Sequence, residues 1–338
     1  MNDALHPAEN LDSTIVVETF NYLEGTSLDS VRAALRAASG LVAPRGGIEV
    51  ILADVSGEAE ISRLVAEEFP HIRYLDAVGL GYDEAKARAA ENAHGRYVVY
   101  LDCDCIPEPG WFERLTAPLR SGTAMATAGF AWYGGGFWSQ LQWLLDFGFL
   151  LPRQDRAMGC YPSNNSAFVR ELLLRIPEPD GPMRCRCYAH AQLLARMGTP
   201  VTLVADAAVT HEPPPFFRER LRQGYDMVAS CWVDPALSEA RWLRYGIAAA
   251  PLLYRHRIEL DWRALRKYGD QAAFRRIQRA MAYPLIAISR LLDAAGMIGA
   301  LALGPAARGL FDRTSRRGRD VAMAAVAGAE PVAPSAKS

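Results

Sequence analysis

Short apolar runs alternate with amphipathic stretches through the first hundred residues. Thr14-Ile15-Val16-Val17 is continuous and β-branched, and it predicts a buried strand running into Glu18-Thr19-Phe20-Asn21. Leu28, Val31, Leu35 and Ala38 then recur at helical spacing, with Ser27 as N-cap and Gly40 as stop. The unit repeats. A strand over 48–52 ends at Asp54, and Ile61, Leu64, Val65 and Phe69 predict the next helix. A strand over 72–75 precedes an Ala-rich helix over 83–94, closed by Gly95, and a strand over 97–101 runs into Asp102-Cys103-Asp104. Continuous apolar runs, rather than polar/apolar alternation, are what strands covered on both faces require. The pattern therefore predicts an α/β fold with a doubly wound, mostly parallel sheet flanked by helices. Ligands of such sheets sit beyond the carboxyl ends of the strands. Thr19, Asp54, Asp102 and Asp104 should converge there.

Further along, Pro107 to Phe112 opens a helix and 124–131 reads as a strand. Gly134-Gly135-Gly136 precedes an aromatic helix over 137–151, and late strands over 201–204 and 207–209 end near His211. Beyond 215 the chain becomes a series of Arg-rich helices. Residues 280–307 are almost wholly apolar but hold Arg290 and Asp293, three apart on one helix face. Neither side of that pair supplies the ~20 apolar residues of a clean membrane span. With arginines on both flanks, the segment fits an interfacial or re-entrant helix on an anionic leaflet, or else a helix packed on the domain. The expected organisation is a polar leader (1–13), an α/β domain (14–215, in two halves over 14–106 and 107–215), a helical region (216–307) and a basic, Ala/Pro-rich disordered tail (308–338).

Composition narrows this picture. Half of the 338 residues are apolar and 22% are charged, enough for a sizeable core. The formal charge of −1 gives no general reason to bind nucleic acid. Six cysteines, four of them in Cys-x-Cys pairs, do not form a disulfide framework. The leader has neither a basic nor an apolar region of a signal peptide, so a reducing cytoplasm is expected.

Asp102-x-Asp104 carries the chemistry. Residues i and i+2 of an extended chain point the same way, so two carboxylates face one spot. They repel unless a cation lies between them, and hard oxygen ligands suit Mg²⁺ or Mn²⁺ bridging substrate phosphates. Cys103 and Cys105 should point the opposite way, into the sheet. The turn from Glu18 to Ser27 lacks Gly-x-Gly-x-x-Gly, which argues against a dinucleotide oxidoreductase.

The chain resembles the family-2 glycosyltransferases of the GT-A fold over about 14–211. The resemblance rests on Ile15 to Asn21, on Val50 to Asp54, on Lys86 in an Ala-rich helix, on Ala93 to Asp104 with Pro107 to Trp111, and on Gly159 to Arg170. It implies a nucleotide-diphosphosugar donor, a glycan or lipid-linked acceptor and inversion. It also implies donor-binding roles for Thr19, Asp54, Lys86, Asp102 and Asp104, with a metal held by Asp104, Asp102 and His211. Asn164 and Asn165 fall in the acceptor-side loop, and Trp132 in an aromatic stretch that could form an acceptor platform.

One departure stands out. Where the family carries a Glu-Asp pair whose Asp is the general base, this chain has Arg186-Cys187. His190, then Asp180 or Glu178, are the candidates left. The alternative is a sugar-nucleotide-binding pseudo-enzyme without a base. Cys185-x-Cys187-x-x-His190 is too tightly spaced for the usual zinc pattern and reads as free thiols.

Overall fold

The computed structural model describes residues 11–42 and 47–307. Most of the polar leader and the whole 308–338 tail lie outside the described residues. The first half follows the predicted alternation: β1 (Ser13–Glu18), α1 (Phe20–Leu23), α2 (Leu28–Ser39), β2 (Ile48–Asp54), α3 (Ala59–Glu68), β3 (Arg73–Asp76), α4 (Tyr82–Asn92) and β4 (Tyr97–Asp102). Ser27 caps α2, accepting from the Ser30 amide. Ile15 to Val17, Val50 to Ala53 and Val98 to Leu101 are buried, as two-sided cover demands.

β5 (Cys105–Pro107), α5 (Trp111–Arg120), β6 (Ala126–Tyr133), α6 (Phe137–Phe147), β7 (Arg156–Met158), β8 (Asn165–Val169), α7 (Arg170–Arg175), α8 (Cys187–Arg196) and β9 (Val201–His211) follow. The sheet has nine strands in the order β3-β2-β1-β4-β8-β6-β9-β5, with β7 also on β9. β1 to β4 pair in parallel. Beyond them the sheet is mixed, because β8 runs antiparallel to both β4 and β6. The two late strands expected from sequence are one, β9, whose end pairs with β5 so that Cys105 lies opposite His211. The register of β6 on β9 shifts between Ala128 and Phe130. Gly129 sits in that irregularity, where a Cβ would lie 2.0 Å from the Ala207 carbonyl oxygen.

Three α-helices follow, α9 (Phe216–Val233), α10 (Ala249–Tyr268) and α11 (Arg276–Leu303), with 3₁₀ segments at Ala240–Ala248 and Gly304–Ala307. A buried ionic network ties them to α6. The Arg290 guanidinium donates to Asp261 at 2.7 and 3.0 Å and to the Leu145 carbonyl at 2.8 Å, and it also pairs with Asp293. Arg220 pairs with Asp146 of α6. Buried charges persist only when paired and hydrogen-bonded.

Candidate active site

The site is assembled where β1 and β4 end. The Asn21 side-chain amide, just past β1, donates 3.2 Å to Asp102 and 3.0 Å to Asp104. One group thus holds both carboxylates on the same side, as the i, i+2 spacing predicts. Their environments differ. Asp102 accepts from the Lys86 ammonium at 2.7 Å and from the Tyr82 hydroxyl at 2.7 Å. Lys86 is 1% exposed and also donates to the Tyr82 hydroxyl and to the Ser163 carbonyl. Its three N–H directions are spent. Burial alone would push the Lys86 pKa down, but Asp102 and Glu18 outweigh it and the pKa is raised. Lys86 is therefore the internal counterion of Asp102, not a cation facing a base or a phosphate.

Among the described residues Asp104 has no Lys or Arg counterion of that kind. Burial raises its pKa, His211 lowers it and Asp102 raises it again, with a net upward shift. The His211 Nε2 lies 3.5 Å from Asp104 Oδ1, and among the described residues its buried Nδ1 has no hydrogen-bond partner. The Asp104 carboxylate, the His211 ring and the Cys105 thiol gather within 4.8 Å of one another. Cys105 thus turns toward the carboxylate rather than away, because the chain leaves β4 at Asp102 and the strict alternation stops there. A hard, uncompensated carboxylate beside an imidazole with spare capacity fits a divalent cation.

Asp102, Asp104 and His211 border a cavity of about 830 Å³. Its walls include Tyr82, Asn164, Arg184 and Arg222, and on the far side Asp261 and Lys267 of α10. Arg184 links wall to floor. Its guanidinium donates 2.5 Å to the Asn21 side-chain Oδ1 and lies 5.1 Å from the ring centroids of Phe20 and Tyr82. Glu24 gathers Arg184 at 3.0 Å, Arg218 at 2.7 Å and Arg222 at 2.9 Å. Burial pushes Glu24 up, but the three guanidiniums outweigh it and hold its pKa at about 2. A carboxyl held low stabilises the fold above its ordinary value of 4.5, and the gain is lost as pH falls through about 2. Glu24→Gln should therefore cost about 3 kcal/mol near neutrality. Its difference from wild type should shrink below pH 4.5, as read by denaturant melts at several pH values.

The other sequence candidates divide. Thr19 and Asp54 do meet. Thr19 donates 2.6 Å to Asp54, which also accepts from Ser56 at 2.6 Å and from the Tyr74 hydroxyl at 2.7 Å. Asn164 reaches the cavity, and among the described residues its side-chain oxygen has no hydrogen-bond partner. Asn165 does not. It is fully buried, accepting from the Trp111 indole and donating to the Phe130 and Ala207 carbonyls. Asn165 opens β8 and its side chain is spent inside the sheet, whereas Asn164 lies in the turn before the strand and lines the cavity. Trp132 is stacked on Trp143 at 4.9 Å, in an aromatic cluster rather than as an open platform.

None of the three base candidates lines the cavity. His190 is fully buried, with Nδ1 at 2.8 Å from the Tyr161 hydroxyl and Nε2 at 2.9 Å from the Ile176 carbonyl. Burial lowers its pKa. Glu178 accepts from Tyr161 at 2.8 Å, and Asp180 is an exposed partner of Arg186. Glu18, at the end of β1, is buried beside Asp102. Burial and Asp102 push its carboxyl well above the usual range. Sequence reading misses the roles of Asn21, Tyr82 and Arg184. Tyr82 precedes Lys86 by one helical turn, and that spacing is the available signal.

Residues 14–175 match the sequence model of glycosyl transferase family 2. That segment belongs to the family. A curated relative, an uncharacterised glycosyltransferase, YibD, of Escherichia coli K12, is 32% identical over 71 residues, a match spanning 20% of this chain and 21% of YibD. The glycosyltransferase domain also resembles solved structures. The mannosyltransferase PcManGT of Pyrobaculum calidifontis, determined with GDP-Man and Mn²⁺, aligns at a TM-score of 0.53 and 18% identity, covering 90% of this chain and 88% of that one. GalNAc-T7, determined with UDP, GalNAc and Mn²⁺, aligns at 0.48 and 14% identity over 61% of this chain and 44% of its own. The overlap with PcManGT extends the GT-A fold likeness beyond 175, through β9.

Proposed function

We propose that this chain transfers a sugar from a nucleotide-diphosphosugar to an acceptor hydroxyl, with inversion, on a site that holds Mg²⁺ or Mn²⁺. The observation that carries the reading is the buried Asp104–His211 pair, held by Asn21 beside the neutralised Asp102. Asp104 and His211 would hold the ion, and Asp102 would support the site from behind through the shared Asn21 amide. A bound divalent cation supplies neutralisation of the charge on the leaving diphosphate. Arg184 and Arg222, on the same wall, add fixed positive charge near that position. Asp54, set by Thr19 and Ser56, is the acceptor for a base N–H. The Tyr74 hydroxyl now sits on the oxygen that the base would use, so donor binding exchanges that hydrogen bond. Asn164 faces the acceptor side. The acceptor is a glycan or lipid-linked hydroxyl compound, and the enzyme works in the cytoplasm at the inner face of the membrane.

The position of the general base favours a second reading. Cys187 stands there, and its hydrogen bond with Cys160 and its burial push the thiol well above its usual range. A thiol kept protonated does not accept a proton from an acceptor hydroxyl. A sugar-nucleotide-binding protein without turnover is therefore the alternative. The deciding experiment follows release of nucleoside diphosphate from a panel of UDP- and GDP-sugars with Mn²⁺. The enzyme reading expects slow hydrolysis of one donor without added acceptor, whereas the alternative expects binding alone. His211→Ala should weaken Mn²⁺ binding, measured by titration calorimetry, roughly tenfold or more.

A further inference from the structure

Along α11 the usual polarity of a surface helix is reversed. Its polar residues Ser289, Arg290 and Asp293 face inward. Every exposed position after Arg276 is apolar. Ile277 (77% exposed), Met281, Ile288 (61%), Leu291, Ile298 and Leu303 are the large members, with alanines and Pro284 between them. At 1.5 Å per residue this stripe runs for about 40 Å. A water-facing helix carries the opposite arrangement, and a contiguous exposed apolar strip of this length marks an interaction surface.

The inward face is fixed by backbone contact. A Cβ at Gly224 of α9 would lie 1.9 Å from the Asp293 carbonyl oxygen, and one at Gly296 would lie 1.9 Å from that of Leu221. α9 and α11 therefore cross with their backbones touching. With the Arg290 network, this holds α11 along the side of the protein, stripe outward.

We propose that α11, with the adjoining exposed face of α10, docks the protein on an anionic membrane leaflet, the helix lying in the plane of the interface. Charge selects this occupant. Arg255, Arg263, Arg266 and Lys267 of α10, with Arg275 and Arg276 at the start of α11, are exposed, against Glu259 and Asp270 in the same stretch of chain. A second copy seated on the same stripe would bring two such sets of cations together, whereas anionic headgroups neutralise them. Trp262, 39% exposed, donates its indole N–H to the Tyr283 carbonyl at 3.1 Å and leaves its ring at the edge of the face, a placement suited to headgroup depth. Leu260, Ala264 and Tyr268 of α10 also line the cavity. If the transferase reading holds, a lipid-linked acceptor enters from the leaflet along this helix. The docking itself does not depend on that reading.

The test is co-sedimentation of the full chain with phosphatidylglycerol vesicles and with phosphatidylcholine vesicles. Wild type should pellet with the anionic vesicles. Ile288→Glu/Leu291→Glu should lose roughly tenfold or more in bound fraction, and Arg275→Glu/Arg276→Glu should lose the salt-sensitive part. If the stripe double variant does not fold by circular dichroism, Ile277→Glu reads the same surface at its most exposed position. Wild type remaining in the supernatant with both vesicles overturns the proposal. So does a folded stripe variant that pellets like wild type, or a wild-type dimer that the variant splits without any vesicle binding. Donor hydrolysis on the same samples separates failure of docking from failure of the transferase reading.

Discussion

Asp104→Ala should abolish metal-dependent stabilisation by nucleotide-sugar and lower donor turnover by about a thousandfold or more, a loss of roughly 4 kcal/mol of transition-state stabilisation. The fold should survive. The raised pKa of Asp104 means that its ionised form is disfavoured in the folded protein. The stability it contributes is fully present below the ordinary carboxylate value of 3.8 and is lost as pH rises through the raised one. Near neutrality the metal-free variant should therefore melt at or above the wild-type temperature. Equal or higher melting with lost donor response, read in one thermal-shift series, separates a site residue from a structural one. A stability gain on loss of function is the usual signature of a strained site.

Lys86→Met should act in the opposite manner. It removes the ammonium from a fully buried pair and leaves Asp102 without its counterion. Breaking such a pair costs about 3–5 kcal/mol. The pKa of Lys86 is raised in the fold, so its contribution is present at all pH values below the ordinary lysine range and fades only above it. The double variant Lys86→Met/Asp102→Asn should recover part of the loss, since no uncompensated charge remains. A double-mutant cycle by denaturant unfolding gives the coupling. Losses that simply add would mean that the 2.7 Å contact carries no energy.

Much of the fold and of the site is legible in the amino-acid sequence. The apolar runs of β1, β2 and β4 place Asp54, Asp102 and Asp104 at strand ends, because burial on both faces leaves a distinctive pattern. His211 is legible as the end of a late strand, and in the fold it lies 3.5 Å from Asp104. β8 is not legible, because Asn165 to Val169 opens with two polar residues and falls in the segment read as an acceptor-side loop. Asn164 and Asn165 are adjacent, and only the register of β8 on β4 and β6 decides which one enters the cavity. The Lys86–Asp102 pair joins α4 to β4, and no local pattern states that a lysine on an Ala-rich helix will be turned inward. The reversed polarity of α11 is half visible. Arg290 and Asp293 share one face in any helix, but their inward direction depends on Asp261, which lies on another helix.

Asp104 and His211 binding one divalent cation at the mouth of the parallel strands is the point on which the transferase reading stands. Crystals of the full chain grown with Mn²⁺ and a nucleoside diphosphate test it through anomalous scattering. One strong peak is expected between the Asp104 carboxylate and the His211 ring, with diphosphate oxygens beside it, and no such peak in Asp104→Ala. A nucleotide bound in the cavity without that peak, or a peak held by other residues, would show that this pair is not the metal site.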